Sequence, residues 1–180
     1  MTLARIVMRS VQIVFSAVVL GLSIKLIQDQ VFGTSRTINV AAFSGAFGIF
    51  AALVGLASLW LTAMSPTVLS AVDGLATGFQ LAVGITIAVK LRHITCASNS
   101  DMNRYRLYRN DLTNGGCISQ KNGVYCGHGN DWGYFHERCR MSSADSAFLI
   151  MAGAVFVLQS VLTYIHFRRA ARDHRGGTFV

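Results

Sequence analysis

The sequence predicts an all-α membrane protein, a bundle of four transmembrane helices with a long disulfide-stapled extracellular loop between helices three and four. Three observations predict it. Hydrophobic residues make up 52% of the 180-residue chain and charged residues only 13%, about half the charged share of a water-soluble domain. Residues 37–72 carry no charged side chain; as one helix they would run about 54 Å, well beyond a hydrocarbon core of about 30 Å, so they contain two passes. All four cysteines, Cys96, Cys117, Cys126 and Cys139, fall in one polar stretch between apolar runs. A water-soluble enzyme, a disordered tail and a nucleic-acid binder are excluded. The net charge of +8 resides at helix ends and in that polar stretch, so it forms no basic binding face.

The chain reads as one domain, 1–180, with spans at about 10–32, 38–64, 67–91 and 144–167, an outer loop at 92–143 and a tail at 168–180. Only helices satisfy their own backbone in lipid. The first span follows Arg5 and Arg9 and resembles a signal peptide, but no small-x-small site closes the apolar run before Lys25. An uncleaved first helix is therefore expected. Between the second and third spans stand Met64, Ser65, Pro66 and Thr67, where serine caps and proline suits a first helical position. These two helices form a tight hairpin.

Charge counting does not settle sidedness. Arg5, Arg9, Arg168, Arg169, Arg172 and Arg175 flank the terminal side, whereas Arg36, Lys90, Arg92, Arg104, Arg106, Arg109, Lys121, Arg138 and Arg140 flank the other. A long loop translocates regardless of such charges. The cysteines decide instead, since thiols gathered in one loop and absent from the spans read as disulfides in an oxidising space. The loop is then extracellular and both termini cytoplasmic. Of three connectivities the nested one is preferred, Cys96 with Cys139 at the neck of the loop and Cys117 with Cys126 around a turn at Asn122-Gly123. A zinc site drawing on His93, His128 and His136 is the rival, but the nearest cysteines are nine apart and form no zinc knuckle. No C-x-x-C supports redox exchange, and no metal or cofactor is expected.

Within the spans, Ala41, Gly45, Gly48, Ala52 and Gly55 form a small-residue seam at a period of 3.5, and Gly74 and Gly78 make a GxxxG pair. Such seams hold helices together in lipid, within one chain or between protomers. Lys25, Asp73 and Asp145 are the ionisable residues in or at the rim of the spans, and each needs a partner or an exit. Lys25 is expected to snorkel to the outer boundary, with Lys25 or Lys90 on Asp145. Asp73 lies about 9 Å inside the third helix, with Gln12 and Gln159 the nearest polar groups by depth. Arg168, Arg169, Arg172 and Arg175 follow the last span at helical spacing, where anionic lipid attracts about 1 kcal/mol per basic residue; a plain stop-transfer anchor is the simpler reading.

Nothing marks an enzyme. There is no HExxH, GxSxG, phosphate loop or dinucleotide fingerprint, and Glu137 is the one glutamate beside seven scattered aspartates. The spans also lack the broken helices of secondary carriers, which leaves a transporter or channel subunit using Asp73 as the alternative function.

Ser35-Arg36-Thr37-Ile38-Asn39, then Ala46-Phe47-Gly48-Ile49-Phe50, then Asp73-Gly74-Leu75 leading through Phe79 to Ala88-Val89-Lys90-Leu91-Arg92-His93 and Cys96, and finally Cys139-Arg140 before Ala144-Asp145 and Ala147-Phe148-Leu149, resemble the fungal non-classical export protein 2 family of MARVEL-domain proteins. The resemblance covers all four spans and rests on the order and spacing of weak motifs. It implies a MARVEL bundle with cytoplasmic termini in the plasma membrane, organising furrow-like lipid microdomains with cytoplasmic eisosome proteins and responding to sphingolipid. Cys96, Cys139 and Asp73 are the matching positions. The segment around Asn99 to His136, with Cys117 and Cys126, departs from the family as an insertion. The expected function is a non-enzymatic membrane organiser, forming homo-oligomers and contacting anionic, sphingolipid or sterol lipid, with no nucleic-acid partner.

Overall fold

The computed structural model describes residues 2–33, 35–58, 66–120, 123–127 and 131–176; the side chains of 2, 4, 66, 119–120, 123–124, 163 and 166–176 are not described. Its elements are α1 (Thr2–Gln28), α2 (Arg36–Ala57), α3 (Pro66–Leu91), α4 (Asp101–Arg109), β1 (Cys117–Gln120), β2 (Gly123–Cys126) and α5 (Trp132–Gly176). Among the described residues four helical segments are long and apolar enough to cross a membrane: Arg5–Gln28, Arg36–Ala57, Thr67–Leu91 and Trp132–Leu162. α1 packs on α2 and α5, and α3 on the same two, so the order around the bundle is α1, α2, α3, α5.

Each helix buries one face at a period near 3.5 residues, the repeat that keeps a seam facing its neighbours in a left-handed bundle. On α1 the buried positions are Arg9, Gln12, Ser16, Val19, Ser23 and Leu26, stepping by three and four. Asp73, Ala76, Gln80, Val83 and Ile87 do the same on α3. The half of the core nearest α4 is aliphatic, with Val19, Leu26, Ile38, Val83, Ile87, Leu112 and Leu149; the other half centres on Ala51, Ala76 and Phe156.

The helix bounds differ from the expected spans: α1 ends at Gln28 rather than near 32, α2 ends at Ala57 rather than near 64, and α5 runs on to Gly176. Met64 and Ser65 of the expected hairpin lie outside the described residues. The two differences that matter most are at the starts of α1 and α5. α1 is already helical from Thr2, which carries Arg9 two turns into the bundle instead of leaving it at the rim. α5 begins at Trp132, twelve residues before the expected fourth span. Asp131 starts it: the Tyr134 amide donates to Asp131 Oδ1 at 3.3 Å, an N-terminal cap. Its first turns bury Phe135 and Cys139 against Leu107 of α4, flanked by Ile94, Tyr108, Trp132 and Tyr134. The segment between α3 and the apolar part of α5 is thus a small folded cap with its own apolar centre.

Two devices seat the cap on the bundle. Asn110 Nδ2 donates to the Lys90 carbonyl at 2.7 Å, and Lys90 Nζ reaches Asp111 Oδ2 at 2.7 Å and Thr37 Oγ1 at 2.9 Å. The amides of Val31 and Phe32 both donate to the Gly115 carbonyl. Gly116 follows with a φ of +88°, and a Cβ there would fall 1.6 Å from the Phe32 carbonyl oxygen. Only glycine allows the α1–α2 connection to pass so close. β1 and β2 pair antiparallel with Cys117 opposite Cys126 and Gln120 opposite Gly123, which leaves a connection of two residues, 121–122; Asn122 of the expected turn lies outside the described residues.

Candidate functional site

The four helices enclose a column of polar side chains where an apolar core is the rule. At its end away from the cap Arg9 Nη1 and Nη2 hold Asp73 Oδ1 and Oδ2 at 2.7 and 2.5 Å, and the two side chains are only 4% and 6% exposed. Arginine suits this place because its planar fork meets both carboxylate oxygens at once. Arg9 Nη1 also donates to Gln12 Oε1 at 3.2 Å. One level further out, Gln80 Nε2 donates to Ser16 Oγ at 3.1 Å. Near the cap Ser23 Oγ donates to Asp145 Oδ2 at 3.0 Å, and Ser146 Oγ donates to the Gly84 carbonyl at 2.8 Å.

The small-residue seam of α2 takes its meaning from this column. Gly45 lets the α1 backbone approach, with Leu20 N at 2.9 Å from where a Cβ would stand. Gly48 and Gly55 instead make room for polar heads: a Cβ at Gly48 would lie 2.3 Å from Gln80 Nε2, and one at Gly55 would lie 2.3 Å from Arg9 Cζ. Ala41 and Ala52 are buried on the same face. α3 differs from the expectation. Gly74 and Gly78 have nothing within 4 Å of a Cβ position, so among the described residues the GxxxG pair packs against no other helix. α3 uses its opposite face, and close packing to α5 runs through Gly84, against Leu149 and Ile150, and through Gly153, against Leu81.

The ionisable residues also find other partners than expected. Gln12 binds Arg9 rather than Asp73, and Asp73 is met by Arg9 because the helix starts early enough to bring it inside. Lys25 stands off the buried Ser23–Leu26 face and pairs with Asp29 one turn on, at 2.8 Å. Lys90 goes to Asp111 at 2.7 Å. Neither lysine holds Asp145, which instead accepts from Ser23 Oγ. Gln159 is buried. Arg168, Arg169, Arg172 and Arg175 continue α5 as helix, their side chains outside the described residues.

In the cap, Cys96 is bonded to Cys139 and Cys117 to Cys126, with Cα separations of 5.4 and 4.0 Å. The first bond ties the segment leaving α3 to the base of α5. His136 is occupied by the Cys96 carbonyl at 2.7 Å and by Asn99 Oδ1 at 3.0 Å. Among the described residues no cluster of His, Cys, Asp or Glu could hold a metal ion. The groups reasoning from sequence missed are Arg9, Ser23, Arg138, Gly84 and Gly153. A signal for the first two was present, since Arg9, Gln12, Ser16 and Ser23 fall on one helical face at steps of three, four and seven.

The outer surface of the bundle is apolar. Phe43, Phe47, Phe50 and Phe79 form a ring-contact cluster on α2 and α3, Phe43 and Phe79 meeting edge to face at 5.7 Å. Leu75, Ile85, Val89, Leu158, Val161 and Leu162 are also exposed. That inversion, polar groups inside and bulky hydrocarbon outside, is the arrangement lipid selects.

The family model described as the membrane-associating domain, MARVEL, matches residues 2–162, which takes in all four spans and the cap. No curated protein and no solved structure gives a match.

Proposed function

We propose a function from one premise: the chain belongs to the MARVEL family of membrane-associating domains. The protein is a multi-pass, non-enzymatic organiser of membrane microdomains, placed in the plasma membrane with both termini cytoplasmic and the disulfide-stapled cap extracellular. It works through its outer surface, by lipid contact and self-association. The observation that carries this reading is the division of labour on α3. Its polar face is spent inside the bundle on Arg9 and Ser16, while the face with Gly74 and Gly78 stands open beside exposed Leu75 and Phe79. A smooth strip beside bulky rings suits a second copy or a flat lipid.

The resemblance to the non-classical export protein 2 family supports the finer setting, furrow-like domains with cytoplasmic eisosome proteins and a response to sphingolipid. The arginines of the tail, Arg168, Arg169, Arg172 and Arg175, are the contact to the anionic inner leaflet. The alternative reading is a transporter or channel subunit using Asp73, a carboxylate that Arg9 holds on both oxygens.

The test is lateral clustering and cross-linking in cells of the wild type, Gly78→Leu and a variant with the four tail arginines replaced by glutamine. Loss of cross-linked oligomer in Gly78→Leu, with the fold retained, is the expected result. Unchanged clustering in both variants would remove the mechanism. An impermeant thiol reagent applied to intact cells after reduction should label the cap cysteines; labelling only after permeabilisation reverses the sidedness.

A further inference from the structure

The cap carries an open groove of about 510 Å³, lined by Cys96, Ala97 and Asn99 from the α3–α4 connection and by His136, Glu137 and Arg140 from the first turns of α5. That volume falls within the range of small-ligand sites. Its two walls are fixed to each other. The Cys96–Cys139 bond joins them covalently, and His136 spans them, with Nδ1 on the Cys96 carbonyl at 2.7 Å and Nε2 on Asn99 Oδ1 at 3.0 Å. Both imidazole nitrogens are thereby spent on shaping the groove. The charges left to a ligand are Glu137 and Arg140, which are exposed and form no ion pair among the described residues. Glu137 acts on Lys25 through space, but Lys25 is held by Asp29 at 2.8 Å.

The groove lies at the level of lipid headgroups. Between Arg140 and Arg168 the one Asp, Glu, Lys or Arg of α5 is the buried Asp145, so Arg140 marks the edge of the apolar span, and Cys96 follows shortly after α3 ends at Leu91. Glu137 stands three residues further from the hydrocarbon, about 4.5 Å along the axis. Below Arg140 the same line of the helix continues. Gly133, Arg140, Ala147, Met151 and Leu158 are all exposed and follow at steps of seven, seven, four and seven, one face of α5. From Arg140 to Met151 is about 16 Å at 1.5 Å per residue, one leaflet's share of a hydrocarbon core of about 30 Å.

We propose that this groove binds the headgroup of a zwitterionic phospholipid, with the phosphate on Arg140, the ammonium on Glu137 and an acyl chain along Ala147 and Met151. The order of charges carries the assignment. A phospholipid holds its phosphate next to the glycerol and its ammonium one short linker further out, and the groove presents guanidinium and carboxylate in that sequence from the hydrocarbon outward. Guanidinium suits phosphate because its fork offers parallel donors. An anionic headgroup would meet Glu137 with nothing to offer it, and a lone cation would meet Arg140. A soluble zwitterion would satisfy both charges but leave the apolar strip uncovered, so the membrane is the source. The site presupposes the lipid contact proposed above, yet lies on α5 and the cap rather than on the open face of α3; clustering through Gly78 can persist when it is lost, so the two readings fail separately.

The test is native mass spectrometry of the full chain in mild detergent, titrated with phosphatidylcholine or with phosphatidylglycerol of identical acyl chains. The wild type is expected to retain phosphatidylcholine several-fold better. Glu137→Gln should erase that preference, and Arg140→Gln should weaken both lipids. The sharpest variant exchanges the two charges, Glu137→Arg with Arg140→Glu. It keeps net charge and composition at two exposed positions and inverts their order, so phosphatidylcholine retention should fall several-fold. Equal retention of the two lipids by the wild type overturns the proposal, as does undiminished phosphatidylcholine binding in the exchanged variant. Should the exchanged variant fail to fold, Glu137→Gln decides, and a preference that survives it refutes the site. Displacement of the lipid by an equimolar amount of soluble glycerophosphocholine would overturn the membrane source.

Discussion

Arg9 and Asp73 grip each other at both carboxylate oxygens, 2.7 and 2.5 Å away, across the diagonal between α1 and α3. Two opposite charges that meet this closely inside hydrocarbon neutralise one another, but each becomes a liability alone. Removing one partner of a buried pair costs about 3–5 kcal/mol, whereas replacing both with apolar groups is often neutral. Asp73→Asn and Arg9→Met should each lower the denaturation midpoint strongly in mixed mild and harsh detergent. The double variant Arg9→Met with Asp73→Leu should recover most of the loss. Additive losses would show that the two residues act separately.

The glycines of α2 yield a prediction that separates two kinds of small residue. At Gly55 an alanine methyl would meet Arg9 Cζ and Nε at 2.3 Å, and at Gly48 it would meet Gln80 Nε2 at 2.3 Å and Ser16 Oγ at 2.5 Å. The obstructing groups are side-chain ends, yet they are fixed by hydrogen bonds to Asp73 and to each other. Gly55→Ala and Gly48→Ala should therefore destabilise by about 1–3 kcal/mol. Gly78→Ala meets open space and should leave the fold unharmed or slightly firmer, since glycine inside a helix costs about 1 kcal/mol relative to alanine. The same detergent titration, run on the three variants in parallel, checks the order.

Those contrasts also show what was legible in the sequence. The four spans follow from hydropathy because lipid imposes one solution on the backbone, and Pro66 at the first position of α3 was readable from proline's fixed φ. The start of α5 was not, because Trp132 to Arg140 is polar and folds as helix only once Phe135 and Cys139 have Leu107 to pack on. Seam glycines were visible as small residues, but their purpose was hidden in other helices: Gly48 and Gly55 are small for Gln80 and Arg9. Gly74 and Gly78 carry the familiar spacing and face outward, while Gly84 and Gly153, which carry none, make the close contacts. Spacing along one helix fixes a face and says nothing of which neighbour that face meets.

The two disulfides should differ in consequence because they close loops of different length and join different layers. Cys96 and Cys139 are separated by 43 residues and Cys117 and Cys126 by 9, for which loop-closure entropy gives about 4 and about 2.6 kcal/mol. The longer bond joins the chain leaving α3 to Cys139, which is fully buried beside Leu107 and Phe135; the shorter one closes a hairpin whose Tyr125 is exposed. Replacing Cys96 and Cys139 with serine should therefore raise amide exchange throughout α4 and the first turns of α5, since two hydroxyls would be left in the apolar centre of the cap. Replacing Cys117 and Cys126 should raise it in the hairpin alone. In both variants α1, α2 and α3 should stay protected, because the bundle is held by Arg9, Asp73, Ser16 and Gln80 independently of the cap. Exchange mass spectrometry in lipid nanodiscs reads all three regions at once. Equal exchange in the cap for the two variants, or loss of protection spreading into α1, would show that bundle and cap fold as one cooperative unit.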